Sequence, residues 1–153
     1  MPPFIKSTTM LAVAATLMLG AAAPALAAGD AIGQVKLARG DVSVERSGAT
    51  VDISAGSALL RDDVVTTGAD GAVGMTFTDN SRLSLGPNSR MAVESYVFEQ
   101  GGAANSFDTR LTKGSLTAAS GEIAKRPLAM RVLTPTSVLS VRGTRFAVRV
   151  GEE

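Results

Sequence analysis

Beyond residue 30, apolar and polar residues alternate with a period of two along much of the chain. Val42 and Val44 are separated by Ser43 and followed by Glu45. Val73, Met75 and Phe77 interleave with Gly74 and Thr76. Leu83 and Leu85 flank Ser84. Met91, Val93 and Val97 read as one face of a strand ending near Phe98, and Phe146, Val148 and Val150 alternate with Arg145, Ala147 and Arg149. That period puts successive side chains on opposite faces, so each segment predicts a half-buried β-strand. No stripe with helical spacing competes with it. Turn signals recur between the strands: Arg39-Gly40-Asp41, Ser47-Gly48, Gly68 to Gly71, Asp79-Asn80-Ser81, Gly86-Pro87-Asn88 and Gly101-Gly102. Short strands punctuated this way predict a single all-β domain, solenoid-like or sandwich-like.

One hairpin has a favoured register. A loop at Asp79-Asn80-Ser81 sets Phe77 opposite Leu83 and Met75 opposite Leu85, with all four apolar side chains on one face. A slip by one residue would oppose apolar to polar positions, which the pleat penalises. Lys113-Gly114-Ser115, between Leu111 and Leu116, reads as a turn. Gly101 to Ser106 and Ser120 to Lys125 read as surface loops.

The N-terminal pattern is different. Lys6 precedes an uncharged apolar run from Met10 to Ala23, which Pro24 ends before the small-residue site Ala25-Leu26-Ala27. A basic start, an apolar stretch and an A-x-A site describe a secretory signal peptide, residues 1–27, leaving residues 28–153 as the domain. No second apolar run of spanning length follows, so the exported product is expected to have no stable membrane insertion. If the segment is retained, it would act as an anchor.

Composition narrows the chemistry. The chain has no Cys, His or Trp, which removes disulfides, thiolate nucleophiles and the commonest general base and metal ligand. Residues 28–153 carry 14 basic and 14 acidic side chains, and this neutral balance predicts no nucleic-acid partner. The charges are unevenly spread: residues 28–121 hold 8 basic and 11 acidic, residues 122–153 hold 6 and 3. Either the two segments complement each other, or the basic one presents a partner-binding face. Candidate catalytic sets are poor. Asp62-Asp63 would point to opposite faces of a strand and suits a turn better. Asp41, Asp70, Asp79 and Glu94 show no pairing pattern. Lys113 and Ser115 form a dyad only formally, and no calcium-loop or phosphate-loop motif occurs. No catalysis, cofactor or metal is expected.

Three segments resemble the FecR domain family. Thr134-Pro135-Thr136-Ser137-Val138-Leu139-Ser140-Val141-Arg142-Gly143-Thr144-Arg145-Phe146 is similar to its T-P segment followed by V-R-G-T and an apolar strand. Gly56 to Gly68 is similar to its G-x-x-L-x-x-G-D-x-I-x-T-G segment, with Asp62 in place of Gly. Phe77 to Ser89 is similar to its F-x-D-G-S-x-L-x-L-G-P-x-S hairpin, with Asn80 in place of Gly. The resemblance implies a periplasmic all-β module with an envelope protein partner, of the kind that relays receptor signals to a sigma factor. With no N-terminal cytoplasmic segment and no C-terminal receptor-contact domain, direct sigma-factor control is not expected unless the anchor is retained. The stand-alone expectation is a binding module in envelope signalling or assembly. The alternative is a structural, self-associating or surface-polymer-binding protein. Gly68, Asp79, Pro87, Pro135, Gly143 and Thr144 are motif residues expected to be mainly structural: Pro135 at a strand start, Gly143 at a kink. Arg142 and Arg145 are the candidate partner-binding residues. N-terminal sequencing of the exported protein should begin at Ala28; a chain still carrying Met10 to Ala23 would restore the anchored reading.

Overall fold

The computed structural model describes residues 30–143 and 145–151. Residues 1–27, expected to be a signal peptide, and Thr144 lie outside the described residues. The domain is all-β, and the strands are β1 (Gly33–Arg39), β2 (Val42–Arg46), β3 (Ala49–Asp52), β4 (Ala58–Leu59), β5 (Val64–Thr67), β6 (Ala72–Phe77), β7 (Arg82–Leu85), β8 (Arg90–Val97), β9 (Ser106–Ala119), β10 (Met130–Leu133), β11 (Val138–Val141) and β12 (Arg145–Val150). A short 3-10 turn, Ile123–Lys125, buries Ile123 and Ala124, so the predicted Ser120–Lys125 surface loop is partly core.

All the strands belong to one sheet that folds over on itself. One leaf runs β12-β9-β7-β6-β1-β4 and the other β3-β2-β5-β8-β9-β10-β11. β9 belongs to both. Its first part pairs with β8 and, in parallel, with β10; its last part pairs with β7 and β12. The change of neighbours falls at Gly114, which has φ +88°. A Cβ there would lie 2.5 Å from Ser89 Cα. The predicted turn at Lys113-Gly114-Ser115 is therefore a bend inside one long strand. A left-handed backbone lets β9 change direction without ending, and Ser89 packs where a side chain would be.

The inner faces of the leaves enclose the core. Phe77 from one leaf meets Tyr96 and Phe107 from the other at ring-centroid distances of 5.6 and 4.6 Å, and Tyr96 meets Phe107 edge-on at 4.9 Å. Such tilted and edge contacts suit the ring quadrupoles. Val35, Leu59, Met75, Leu83, Met91, Leu111, Leu116 and Met130 fill the space around them and are fully buried.

The β6–β7 hairpin corrects the expected register by two residues. Met75 pairs with Leu83 and Val73 with Leu85. Phe77 N–H donates to Ser81 O at 2.9 Å, so the loop is Thr78-Asp79-Asn80. Asn80 has φ +65°, and a three-residue loop ends on just such a left-handed residue. The four apolar side chains still share the inner face, because a shift of two keeps their parity. In β8 an irregularity between Val93 and Ser95 reverses the alternation. Tyr96 thus turns inward and Val97 outward, opposite to the prediction for Val97.

Gly114→Val should lower the unfolding free energy by more than about 3 kcal/mol, since it combines left-handed strain with a clash on Ser89. Gly48, at φ +80° with open space around it, should cost only about 1–2 kcal/mol when changed to Ala. Urea unfolding of the two variants measures the difference.

Candidate functional site

The motif residues mostly hold turns. Asp79 is fully buried. Its Oδ2 accepts from Ser81 Oγ at 2.6 Å and from Ile123 N–H at 3.3 Å; its Oδ1 accepts from Ser81 N–H at 3.1 Å and from Tyr96 OH at 3.1 Å. Asp79 N–H donates back to Tyr96 OH at 2.9 Å, and Thr78 Oγ1 lies 2.9 Å from the same oxygen. One carboxylate therefore clamps the β6–β7 loop to β8 and to the 3-10 turn. Burial pushes the Tyr96 phenol up to about 12; the Asp79 charge adds to this and the Thr78 hydrogen bond opposes it.

Asp63, also fully buried, receives a bidentate pair from Arg46 at 2.8 and 2.6 Å and accepts from Leu60 N–H at 2.8 Å. Its neighbour Asp62 is exposed with φ +64°, so Asp takes the left-handed position where the family motif has Gly. This pair shapes a turn. Gly68 closes another: a Cβ there would fall 2.8 Å from Asp41 Oδ2, and Gly68 O accepts from Asn88 N–H at 2.9 Å. Pro87 is exposed in the β7–β8 turn, where its carbonyl accepts from Ser89 Oγ at 3.2 Å. Pro135 is not at a strand start. It sits in the β10–β11 turn, whose ends are fastened by Thr134 Oγ1, which accepts from Ser137 N–H at 3.0 Å. Gly143, at φ +61°, bends the chain between β11 and β12.

Charge separates the two leaves. On the outer face of the β5 leaf, cations are matched across strands: Arg90 with Glu45, Arg110 with Glu94, Arg131 with Asp108. Among the described residues the outer face of the β6 leaf has no such pairs. Register aligns Thr76, Arg82, Ala119 and Arg145 in one row, then Gly74, Ser84, Thr117 and Ala147 in the next. Arg149 stands opposite Ser115, and Arg39 opposite Ala72. The outward positions of β1, β6, β7, β9 and β12 in this leaf thus combine small or neutral residues with cations and hold no carboxylate. Arg82, Arg145 and Arg149 are exposed and make no ion pair among the described residues. Arg82 and Arg145 flank Ala119 two strand spacings apart, about 9.5 Å. They line a shallow hollow of about 420 Å³ with Asn80, Gly121, Lys125 and Gly143.

The structure thus brings Gly143 and Arg145 together but leaves Arg142 outside the hollow, exposed in the adjoining bend. Arg82 and Arg149 were missed by sequence reasoning. Arg149 was available from the alternation that puts it on the same face as Arg145. Arg82 required the β7–β9–β12 pairing. Lys113 and Ser115 lie within β9, and Ser115 N–H donates to Ser89 Oγ at 2.9 Å, an arrangement that ties strand to turn. Among the described residues no group of three or more His, Cys, Asp or Glu is placed to hold a metal ion, and no helix is long and apolar enough to cross a membrane.

The FecR protein family model matches residues 63–153. The chain belongs to the FecR protein family. The matched span runs from Asp63 through the whole β5–β12 part of the FecR domain and contains Arg82, Arg145 and Arg149. Neither a curated protein nor a solved structure matches the chain significantly.

The only Tyr of the chain makes the Asp79 clamp measurable. Its folded value, about 12, exceeds the ordinary 10.0, so its contribution to stability is full below about pH 10 and is lost as pH rises through about 12. Phenolate absorbance should titrate accordingly, and Asp79→Asn should lower the midpoint by removing the adjacent charge. An unchanged midpoint would show that Asp79 does not act on the phenol.

Proposed function

We propose that this FecR-family chain is a non-enzymatic, periplasmic module that binds an acidic envelope protein through the outer face of its β6 leaf, in envelope signalling or assembly. The observation that carries this reading is the contrast between the leaves. Among the described residues, the same fold neutralises its arginines on one outer face and leaves them without an ion pair on the other. Surface arginines without partners add little to stability. On a flat face of Gly, Ala, Ser and Thr they are accessible to carboxylates, and Arg82 and Arg145 stand on either side of a shallow floor. Positive potential of this kind steers an acidic partner and sets its orientation. The buried acids support a binding role, because Asp63 and Asp79 are engaged with backbone and side-chain donors of their own turns and of neighbouring elements.

Crosslinking in envelope extracts tests the reading with two triple variants. Arg82→Gln, Arg145→Gln and Arg149→Gln together should abolish the crosslinked protein partner while leaving the melting temperature nearly unchanged. Arg90→Gln, Arg110→Gln and Arg131→Gln on the other leaf should retain it. Equal capture by both would overturn the assignment of the face, and capture of an anionic polysaccharide instead of a protein would favour the surface-polymer alternative.

A further inference from the structure

The sheet does not close where the family signature lies. Among the described residues β11 pairs only with β10, and β12 only with β9. The chain passes from the edge at β11 to the edge at β12 through the Arg142-Gly143 bend. The core is finished one strand inside each edge: Val132 on β10 and Leu116 and Ala118 on β9 are buried. At the edges the cover is incomplete, although Val141 on β11 is buried. Leu139, opposite Val132, is 38% exposed, and Phe146 and Val148, opposite Ala118 and Leu116, are only partly buried, as is Val150. A groove of about 510 Å³ separates the β10–β11 turn at Thr134, Pro135 and Thr136 from Arg149 and Val150 at the end of β12. β12 therefore offers an unpaired edge with half-covered apolar residues inward and Arg145 and Arg149 outward.

We propose that β12 receives an added β-strand from the envelope partner, an extended segment in which apolar residues alternate with Asp or Glu. The proposal rests on the cationic face described above and gives it a mode of binding. A strand laid about 4.8 Å from β12 carries its side chains to the same two faces. One set would cover Phe146, Val148 and Val150; the other would stand beside Arg145 and Arg149, where only acidic residues are complementary. A second copy of β12 is a poor occupant. Antiparallel pairing centred on Ala147 sets Arg145 of each copy opposite Arg149 of the other, and like charges in direct opposition are destabilising. The same arginines thus blunt the edge against self-pairing and select a partner of opposite charge. The neighbouring edge at β11 carries no charge in Val138, Leu139, Ser140 and Val141 and has no such selectivity.

Short synthetic peptides test this on the exported protein. A fluorescent peptide alternating Val with Glu should bind, and its addition should protect the backbone amides of Arg145 to Val150 from hydrogen exchange. A block peptide of the same composition, and the alternating peptide N-methylated at every second backbone nitrogen, should each bind at least about tenfold more weakly. Arg145→Gln with Arg149→Gln should weaken the alternating peptide by at least about tenfold and flatten its salt dependence. Equal binding of all three peptides would overturn strand addition and leave the acidic-partner reading standing. Strand addition is likewise overturned if no peptide binds yet the crosslinked partner is still lost in the leaf variant. Absence of peptide binding together with a partner indifferent to that variant would overturn both, and the arginines would then serve only to prevent edge aggregation.

Discussion

β9 is one continuous strand with two sets of neighbours, and the closure of the core depends on its bend at Gly114. Before the bend its inward residues, Phe107 and Leu111, line the β5 leaf; after it, Leu116 and Ala118 line the β6 leaf. A β-strand cannot normally reverse its surroundings in this way without ending. Here the left-handed Gly114 supplies the change of direction, and Ser89 supplies the anchor. Ser89 Oγ accepts from Ser115 N–H and lies 3.3 Å from Ser115 O, while Ser89 N–H donates to Thr67 Oγ1. Because Thr67 Oγ1 in turn donates to Gly86 O at 2.7 Å, the bend in β9, the end of β5 and the β7–β8 turn are one hydrogen-bonded unit. The aromatic contacts of Phe77 with Tyr96 and Phe107 follow from this closure, since they join side chains from opposite leaves.

The same bend places the cationic residues. Arg82 and Arg145 share a row only because the last part of β9 lies between β7 and β12, with Ala119 separating them. Had β9 ended at Lys113, as its sequence suggests, neither strand would have had that neighbour. The cationic surface is thus a consequence of strand order, while the paired charges of the other leaf come from the antiparallel neighbours β2, β5, β8 and β9 and the parallel neighbour β10.

This explains how far the residues could be read in advance. The alternation in β2, β6, β7 and β12 identified strands and their inward sides, because the period of two survives any even shift of register. The β6–β7 register itself depended on which loop position must be left-handed, and Asn80 settles that only when it is placed last in the loop. Tyr96 was assigned no structural place because the irregularity near Glu94 reverses the alternation, and nothing in the run Met91 to Val97 marks it. The motif residues were legible as turn and kink formers: Asp79 and Gly143 behave so, while Pro135 lies in a turn ahead of β11. Arg145 was legible as a binding candidate from local charge. Arg82 was not, since its relation to Arg145 exists only across two strand pairings.

The placement of the acids adds a constraint of its own. Among the described residues, Asp63 and Asp79 are buried in turns, Glu45, Glu94 and Asp108 are paired on the β5 leaf, and Glu122 pairs with Lys125. Asp41 and Asp70 face each other at one end of the fold, where Asp41 N–H donates to Asp70 Oδ1 at 3.3 Å. Asp30, Asp52, Asp62 and Glu99 lie before β1, on β3, in the β4–β5 turn and in the β8–β9 loop. None of these occupies an outward position in the middle of the β6 leaf. Among the described residues no carboxylate therefore neutralises Arg82, Arg145 or Arg149, and the edge of β12, unpaired among those residues, is where an acidic partner would also find unmet backbone groups and half-covered apolar side chains.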